Sequence, residues 1–269
     1  MTHRVFDVRH DTDAALDAAV DAVRAGEVIV LPTDTVYGVG VDAFSAEAVQ
    51  RLFDAKQRGR DMPPPVLVAE LPQVRAFASG VDERVSKLAE SGWPGPLTLV
   101  LQSQPSLRLD LGDRGDTIAV RIPDHDFTRE LLRRTGPLAV SSANVSGSEA
   151  ALTVEDAISM LGDAVSVYLD DGPASGPQPS TILDMSGPEP SLLRAGRLGA
   201  EALNAMVPGL LPEDEPTDLE GESTELVDDE AEPEPDPLQL EAPHSLDPVG
   251  APARDDTGDG EPLEPGPTD

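Results

Sequence analysis

The chain has 269 residues and a net charge of −32, and it contains no cysteine. The acidic balance argues against broad nucleic-acid binding, which needs a basic surface. The lack of cysteine excludes disulfides and thiolate zinc sites. The start of the chain has no apolar run of the kind found in a signal peptide, and no stretch approaches the roughly 20 apolar residues of a membrane span. We therefore expect a soluble, cytoplasmic protein with no membrane partner.

Charge and proline content divide the chain into two predicted domains. Residues 209–269 hold 21 of the 51 acidic residues, one of the 19 basic residues and 11 of the 27 prolines, so this segment carries about −20 and the rest about −12. Such a composition cannot bury enough apolar surface to offset chain entropy. We predict a folded catalytic domain over 1–208 and a disordered acidic tail over 209–269. The tail is either a solvated appendage or an electrostatic guard that repels polyanions or docks a basic partner.

Helices and short strands are predicted to follow one another along residues 13–206. The first helix is amphipathic, because Leu16, Val20 and Val23 fall on one face. The pattern predicts helices at 13–24, 46–56, 72–79, 82–91, 127–135, 154–161 and 199–206, and strands at 28–31, 66–68, 97–101, 117–122, 138–140, 165–169, 181–185 and 192–194. Ser45 and Asp126 are predicted to cap the second and fifth helices, and Thr153 and Asp156 to form a capping box at the sixth. This mixture indicates an α/β fold, and the short strands with varied connections favour a mixed sheet. No internal repeat is present.

One stretch, residues 27–68, suggests that the protein holds an anion. An apolar strand ends in the hydroxyl and carboxyl side chains of Thr33, Asp34 and Thr35, and the next helix ends in a basic cluster. That cluster includes Lys56 and Arg58, in a protein with only 19 basic residues. Basic residues at a helix end commonly do no more than favour the helix dipole.

Polar residues recur where the predicted strands begin or end, which is where open α/β sheets bind ligands. They are Thr33, Asp34 and Thr35, then Thr117 and Arg121, then Ser141, Ser142 and Asn144, then Ser180 and Thr181, and finally Arg194 and Arg197. Hydroxyls, an amide and cations suit phosphates and a carboxylate. Taken singly, each of these residues is equally compatible with a turn, a cap or a surface pair. We assign Asp34 a structural role, and the histidines show no metal spacing.

Together, five short motifs in order resemble the YrdC/TsaC family of threonylcarbamoyl-AMP synthases. The motifs are Pro32-Thr33-Asp34-Thr35-Val36-Tyr37-Gly38, Lys56-x-Arg58, Ser142-x-Asn144, Ser180-Thr181-Ile182 and Leu193-Arg194. The resemblance spans about residues 10–205, and Lys56 to Pro63 looks especially similar to actinobacterial members. It implies a twisted open mixed sheet flanked by helices around a central positive groove.

The resemblance also implies a reaction and its partners. L-Threonine, bicarbonate and ATP, accompanied by Mg²⁺, would give threonylcarbamoyladenylate and pyrophosphate. A tRNA-modifying threonylcarbamoyltransferase complex would then pass the threonylcarbamoyl group to the adenosine beside the tRNA anticodon, so contact of this chain with tRNA would be weak or indirect. Because two anions must meet, charge neutralisation and positioning are expected to provide most of the catalysis.

The resemblance assigns roles to nine residues. Lys56 and Arg58 would be catalytic and would hold the triphosphate. The nucleotide would also contact Thr117, Ser142, Asn144 and Arg194, and the threonine would contact Thr35, Arg121, Ser142 and Ser180. Arg121 would clamp the threonine carboxylate. No protein side chain is assigned to a metal.

This chain departs from the resembled pattern in two places. Many family members carry Asn-Pro-Leu-x-Val-His after the basic cluster, whereas this chain has Met62 and Leu67 at the Asn and His positions. Side-chain contacts from those two positions are therefore expected to be lost. Longer members also carry a folded C-terminal domain, which the acidic tail does not resemble.

Two other functions compete with the synthase. An RNA-binding module of the same fold would use the positive groove without catalysis, but the acidic body argues against it. A carbamoyl-transfer maturation enzyme with a related domain would add cysteine zinc motifs, and this chain has no cysteine.

Overall fold

The computed structural model describes residues 3–113 and 115–212, which form a single mixed sheet with helices on both faces. The strands are β1 (Arg4–Asp7), β2 (Ile29–Leu31), β3 (Gly38–Asp42), β4 (Val66–Leu67), β5 (Ala78–Ser79), β6 (Leu97–Ser103), β7 (Thr117–Arg121), β8 (Leu138–Ser142), β9 (Val167–Asp170), β10 (Thr181–Asp184) and β11 (Ser191–Arg194). The helices are α1 (Thr12–Arg24), α2 (Ala46–Lys56), α3 (Leu71–Phe77), α4 (Glu83–Gly92), α5 (Asp126–Thr135), α6 (Val154–Leu161) and α7 (Ala200–Met206).

The strand order is β1-β9-β2-β3-β8-β4-β7-β6-β10-β11, with β5 paired to β6 outside this series. The sheet contains both parallel pairs, such as β4 with β7, and antiparallel pairs, such as β7 with β6. The predicted α/β fold with a mixed sheet is thus confirmed. Strand order departs widely from chain order, because most connections cross over a face of the sheet.

Three strands, β1, β3 and β5, were not predicted. The two residues of β5 fall in the predicted helix 72–79, which in the structure ends at Phe77. The residues of β3 include Gly38 and Gly40, and glycine is uncommon in strands. Here the missing side chains make room for Val140 on the neighbouring β8. A Cβ at Gly38 or Gly40 would lie 2.7 or 2.9 Å from a methyl group of Val140. Glycine is therefore required for close packing at a position where strand propensity alone predicts a loop.

The two faces of the sheet are covered differently. On one face, α2, α4 and α6 pack over the whole width, with Leu52, Leu88 and Ala157 fully buried against the sheet. On the other face, α1 and α5 cover the β1 to β8 half, where Leu16 and Leu131 lie in the core. The remaining half of that second face, over β4, β7, β6 and β10, is left for a cleft.

Local signals at the helix ends are mostly those predicted. The Ser45 side chain accepts a hydrogen bond from the Ala48 amide at 3.2 Å, and Thr153 with Asp156 forms the expected capping box. Helix α5 differs, because the ring of His125 accepts from the Thr128 amide at 3.4 Å and Asp126 is the first helical residue rather than the cap. Within the described ranges, no helix has both the length and the apolar character needed to cross a membrane.

The packed chain continues a few residues past α7. Leu210 and Leu211 are 5% and 7% exposed, and the Asn204 side chain exchanges two hydrogen bonds with Leu211. These residues fall just beyond the domain limit predicted at 208. From residue 213 onward, the predicted acidic tail lies outside the described residues.

Candidate active site

Alternate residues of the central strands form the floor of a cleft of about 530 Å³. A strand presents every second side chain to one face. On β7, Thr117, Ala119 and Arg121 face the cleft, whereas Val120 packs in the core on the opposite face. The other strands of the floor contribute Leu67, Thr98, Val100, Ile182 and Asp184 in the same way. The volume is typical of a small-molecule site.

Strand register arranges these side chains in rows across the cleft. Leu67 on β4 pairs with Arg121 on β7, so the two side chains lie side by side on one face. On the other flank, Val120 pairs with Leu99 of β6, which brings Thr98 beside Arg121. One end of the cleft therefore has a cation in the middle, an apolar residue on one side and a hydroxyl on the other.

Arg121 is the most enclosed of the guanidinium groups that line the cavity, with 6% of its surface exposed. Its Nη2 donates to Asp34 Oδ1 at 2.6 Å, its Nη1 to Thr35 Oγ1 at 3.2 Å and its Nε to the Gly95 carbonyl at 3.0 Å. Burial lowers the pKa of Arg121, and the charge of Asp34 opposes that effect. A guanidinium has five N–H groups, so two remain for an anion in the cleft.

A second cluster joins Ser180 to Thr98 and Arg194. The hydroxyls of Thr98 and Ser180 are 2.9 Å apart, and Arg194 donates to both the hydroxyl and the carbonyl of Ser180. Arg194 belongs to the edge strand β11 and reaches back to the cleft, while Ser180 directly precedes β10. These contacts bring the hydroxyl of Ser180 to the Arg121 end of the site and hold a second cation within reach of the charges of both Arg121 and Arg58.

Arg58 enters the cleft from the turn after α2. Its Nη1 donates to Ser141 Oγ at 2.8 Å, while its buried Nε has no hydrogen-bond partner among residues 3–113 and 115–212. A buried donor without a partner costs free energy, on the order of 1–3 kcal/mol. Arg58 lines the cavity, so its positive charge is available to a bound anion.

Lys56 lies behind the cleft and is 2% exposed. Its Nζ donates to the carbonyls of Ser142 and Asn144 at 2.5 and 2.6 Å, and it lies 3.5 Å from Asn144 Oδ1. Burial, together with the nearby positive charge of Arg58, lowers the pKa of Lys56 to about 8. The ammonium group of Lys56 therefore stabilises the loop after β8. Within that loop, the Asn144 amide nitrogen donates to the carbonyls of Val145 and Ser148.

The cleft concentrates positive charge in an acidic protein. Partial burial lowers the pKa of Arg194, and the charges of Arg121 and Arg58 lower it further. The three guanidinium groups thus repel one another inside one cavity, and a bound anion would relieve this repulsion. Two carboxylates, Asp113 and Asp184, also line the cavity.

The structure brings most of the predicted site residues together. Seven of the nine line the cavity, namely Thr35, Arg58, Thr117, Arg121, Ser142, Ser180 and Arg194. The other two, Lys56 and Asn144, contact each other next to it. Met62 and Leu67 also line the cavity, so the two departures from the resembled pattern fall inside the site.

Three residues of the site were missed or given a lesser role. Asp34 was assigned a purely structural role, yet it orients Arg121 and leaves Oδ2 buried without a partner. Ser141 contacts Arg58. Adjacent side chains of a strand point to opposite faces, so a prediction that places Ser142 in the cleft places Ser141 on the face away from it. Thr98 lies inside an apolar strand, and the contact between its hydroxyl and that of Ser180 shows that it belongs to the site.

The cleft suits Mg²⁺ that enters with a phosphate ligand better than a metal held by the protein alone. Among residues 3–113 and 115–212, no three His, Asp or Glu side chains are close enough to hold a metal ion. Mg²⁺ usually binds through one or two carboxylates together with substrate phosphates and water. Asp113 and Asp184 supply such carboxylates at the cavity wall.

Several known proteins are similar to this chain in sequence. Residues 21–196 match the Sua5/YciO/YrdC family model, whose description is "Telomere recombination". A Mycobacterium tuberculosis protein is 46% identical over 186 residues, which cover 69% of this chain and 86% of that protein. The threonylcarbamoyl-AMP synthase of Bacillus subtilis is 33% identical over 205 residues, which cover 76% of this chain and 59% of that protein.

A solved structure agrees in fold as well as in sequence. Sua5 of Pyrococcus abyssi complexed with L-threonine superposes with a TM-score of 0.69 at 32% identity, over 72% of this chain and 57% of that one. On the sequence match over residues 21–196 and on this structural likeness, the chain belongs to the Sua5/YciO/YrdC family.

Proposed function

We propose that this chain makes threonylcarbamoyl-AMP from L-threonine, bicarbonate and ATP and releases pyrophosphate. The observation that carries the proposal is the presence of three guanidinium groups in one cavity, where Arg121 and Arg58 come from different elements and can hold different anions. Thr117 and Arg121 lie four residues apart on β7, which is about 13 Å of extended strand. This length accommodates an amino acid followed by an adenylate. The names of the relatives support the same activity.

Arg121 is suited to bind the carboxylate of threonine. The planar guanidinium matches a carboxylate geometrically, and its orientation is fixed by Asp34 and the Gly95 carbonyl. Thr35 and Ser180 add hydroxyls at the same end of the cleft. Together these groups would leave the threonine nitrogen directed towards the centre of the cavity.

Arg58 is suited to bind phosphate oxygens. It is oriented by Ser141, and its guanidinium group lines the cavity. Ser142, Thr117 and Arg194 line the same cavity. Mg²⁺ entering with ATP would bind the phosphates and Asp113 or Asp184, and it would neutralise charge on the leaving pyrophosphate. Lys56 acts indirectly in this arrangement, by holding the loop that carries Ser142 and Asn144.

The reaction then needs two bond-forming steps. The protonated threonine nitrogen bonds to the carbon of bicarbonate with loss of one water molecule and one proton to solvent, which gives a carbamate. A carbamate oxygen then bonds to the α-phosphorus of ATP as the bond from that phosphorus to the bridging oxygen breaks and pyrophosphate leaves. Both reactants are anionic, so Arg121 and Arg58 lower the barrier by holding them close and by neutralising charge.

The product carries an activated threonylcarbamoyl group. We propose that a tRNA-modifying threonylcarbamoyltransferase complex consumes it and modifies the adenosine beside the anticodon. Direct RNA binding by this chain is not favoured, because the cations converge inside a cavity and the body is acidic.

Pyrophosphate release tests the proposed function. The full-length protein is mixed with ATP, Mg²⁺, bicarbonate and L-threonine, and pyrophosphate and the adenylate are measured. We expect pyrophosphate release that needs both threonine and bicarbonate, and an adenylate that contains both. Pyrophosphate release that is independent of threonine would contradict the proposal.

A further inference from the structure

The amino-acid end of the cleft has an apolar side that the contacts of Arg121 do not explain. Leu67 on β4 pairs with Arg121 on β7 and lines the cavity. A polar side chain at this position could also reach a ligand, so the fold does not by itself require an apolar residue there. Val140, on β8, also lines the cavity and belongs to the same apolar cluster as Leu67. The carboxylate anchor therefore has an apolar wall directly beside it.

The opposite side of the anchor is polar. Thr35 Oγ1 accepts from Arg121, and the hydroxyls of Thr98 and Ser180 contact each other on the flank away from Leu67. An amino acid bound through its carboxylate would thus have hydroxyl partners on one side and methyl partners on the other. Threonine carries one hydroxyl and one methyl group on its β-carbon, and this matches the division of the pocket.

The apolar wall presents only a small surface to the cavity. Leu67 is 3% exposed and Val140 is 6% exposed. Val140 cannot retreat, because its methyl groups already fill the space above Gly38 and Gly40. The wall therefore has an area suited to one methyl group rather than to a long side chain.

We propose that Leu67, with Val140, determines the amino-acid specificity of the cleft by contacting the β-methyl group of threonine. This inference rests on the proposed function. It makes Leu67 a specificity residue that favours L-threonine over L-serine, which lacks the methyl group, and over L-allo-threonine, which places its hydroxyl where the methyl belongs.

The size of the effect follows from the chemistry of the contact. One methyl group in an apolar pocket discriminates by about 10- to 200-fold. A hydroxyl pressed against Leu67 would lose hydrogen bonds to water without gaining a partner, which is costly. We expect kcat/KM for L-threonine to exceed that for L-serine by at least about tenfold, and L-allo-threonine to be no better than L-serine.

The test measures amino-acid-dependent pyrophosphate release with full-length wild type, Leu67→Ala, Leu67→Met and Leu71→Ala. Leu67→Ala should lower kcat/KM for threonine about three- to tenfold and leave that for serine nearly unchanged, since serine makes no contact with residue 67. Leu67→Met should keep most of the preference because it keeps an apolar wall. Leu71 is 44% exposed at the start of α3, so Leu71→Ala should behave as wild type.

The outcomes separate this inference from the proposed function. Absence of threonine-dependent pyrophosphate release by wild type would contradict the proposed function itself. Threonine-dependent release with an unchanged threonine to serine ratio in Leu67→Ala would overturn only the role of Leu67. The comparison of L-threonine with L-allo-threonine needs no variant, so equal rates with wild type would overturn the inference even if Leu67→Ala does not fold.

Discussion

Lys56 and Asn144 are joined through both the main chain and the side chain of the asparagine. The Lys56 ammonium group donates to the Asn144 carbonyl at 2.6 Å and lies 3.5 Å from its Oδ1, and it also donates to the Ser142 carbonyl at 2.5 Å. The last residue of α2 thereby fixes the loop after β8, so the sequence motifs Lys56-x-Arg58 and Ser142-x-Asn144 form one structural unit.

Lys56→Met is expected to destabilise the protein and to reduce turnover at least tenfold. The substitution leaves buried carbonyls without a donor, at about 1–3 kcal/mol each, and frees the loop that carries Ser142. Thermal melting and pyrophosphate release measure the two effects. Lys87→Met is the matched control, because Lys87 makes only a surface pair with Glu83 and its side chain is 54% exposed. Normal turnover by Lys56→Met would remove Lys56 from the site.

The stability of the wild type should depend on pH through Lys56. Its pKa is about 8 in the folded protein, against an ordinary value of 10.5. The unfolded chain therefore binds more protons between these values, and the free energy of unfolding should rise with pH from about 8 to 10.5, by no more than about 3 kcal/mol. Urea unfolding across this range, with Lys56→Met as reference, measures the difference. Parallel pH curves for the two proteins would contradict the predicted shift.

Arg121 and Arg194 should affect different substrates. Arg121→Lys loses the forked geometry, so we expect kcat/KM for threonine to fall at least tenfold with a smaller change in KM for ATP. Arg194→Lys should mainly raise KM for ATP. Steady-state kinetics with each substrate varied in turn distinguish the two. Arg133→Lys, in a surface pair with Glu70, serves as a control with wild-type kinetics, and equal effects of both variants on both substrates would argue against separate roles.

Ser141 should matter through Arg58. Ser141→Ala removes the hydroxyl that Arg58 Nη1 contacts at 2.8 Å. We expect a loss of about three- to tenfold in kcat/KM for ATP, because the guanidinium loses its orientation while its charge is kept, and a net hydrogen bond of this type contributes about 0.5–1.5 kcal/mol. Ser159→Ala, which alters an exposed hydroxyl on α6, provides the comparison. A larger loss for Ser159→Ala than for Ser141→Ala would refute the assignment.

Two truncations should differ sharply. A chain that ends at residue 212 keeps Leu210 and Leu211 and should melt and turn over like the full chain, in line with the predicted acidic tail. A chain that ends at residue 208 loses both leucines and the two hydrogen bonds between Asn204 and Leu211. Each buried leucine contributes about 1.5–3 kcal/mol, so the melting temperature should fall by several degrees. Equal melting temperatures would contradict the packing of this segment.

The sequence predicts the helices and most strands of this fold because hydrophobic periodicity is strong in them. The strands that escaped prediction are those in which another requirement dominates. In β3, glycine at positions 38 and 40 makes room for Val140, and in β1 the short run from Arg4 to Asp7 leaves Val5 48% exposed at the sheet edge. Neither pattern has the apolar alternation of a typical strand.

Site prediction succeeded for side chains that face the cleft and was less complete for those that act on one another. Motif order indicated that residues such as Thr35, Arg121 and Ser180 would gather, and they line one cavity. The sequence cannot tell that the charge of Lys56 is satisfied by carbonyls, since both a phosphate and a peptide oxygen attract an ammonium group. That distinction depends on long-range packing between α2 and the loop after β8.

Side chains of β7 alternate between the two faces of the sheet, so the set of side chains that faces the cleft depends on the number of residues in the strand. Thr117, Ala119 and Arg121 line the cavity, and the intervening Ile118 and Val120 belong to the apolar core. Inserting or deleting one residue between 117 and 121 would exchange the two sets, burying a guanidinium in the apolar layer and exposing valine to the substrate. Substitutions can therefore retune this enzyme, whereas a single-residue insertion or deletion in β7 would remove its core and its active site together.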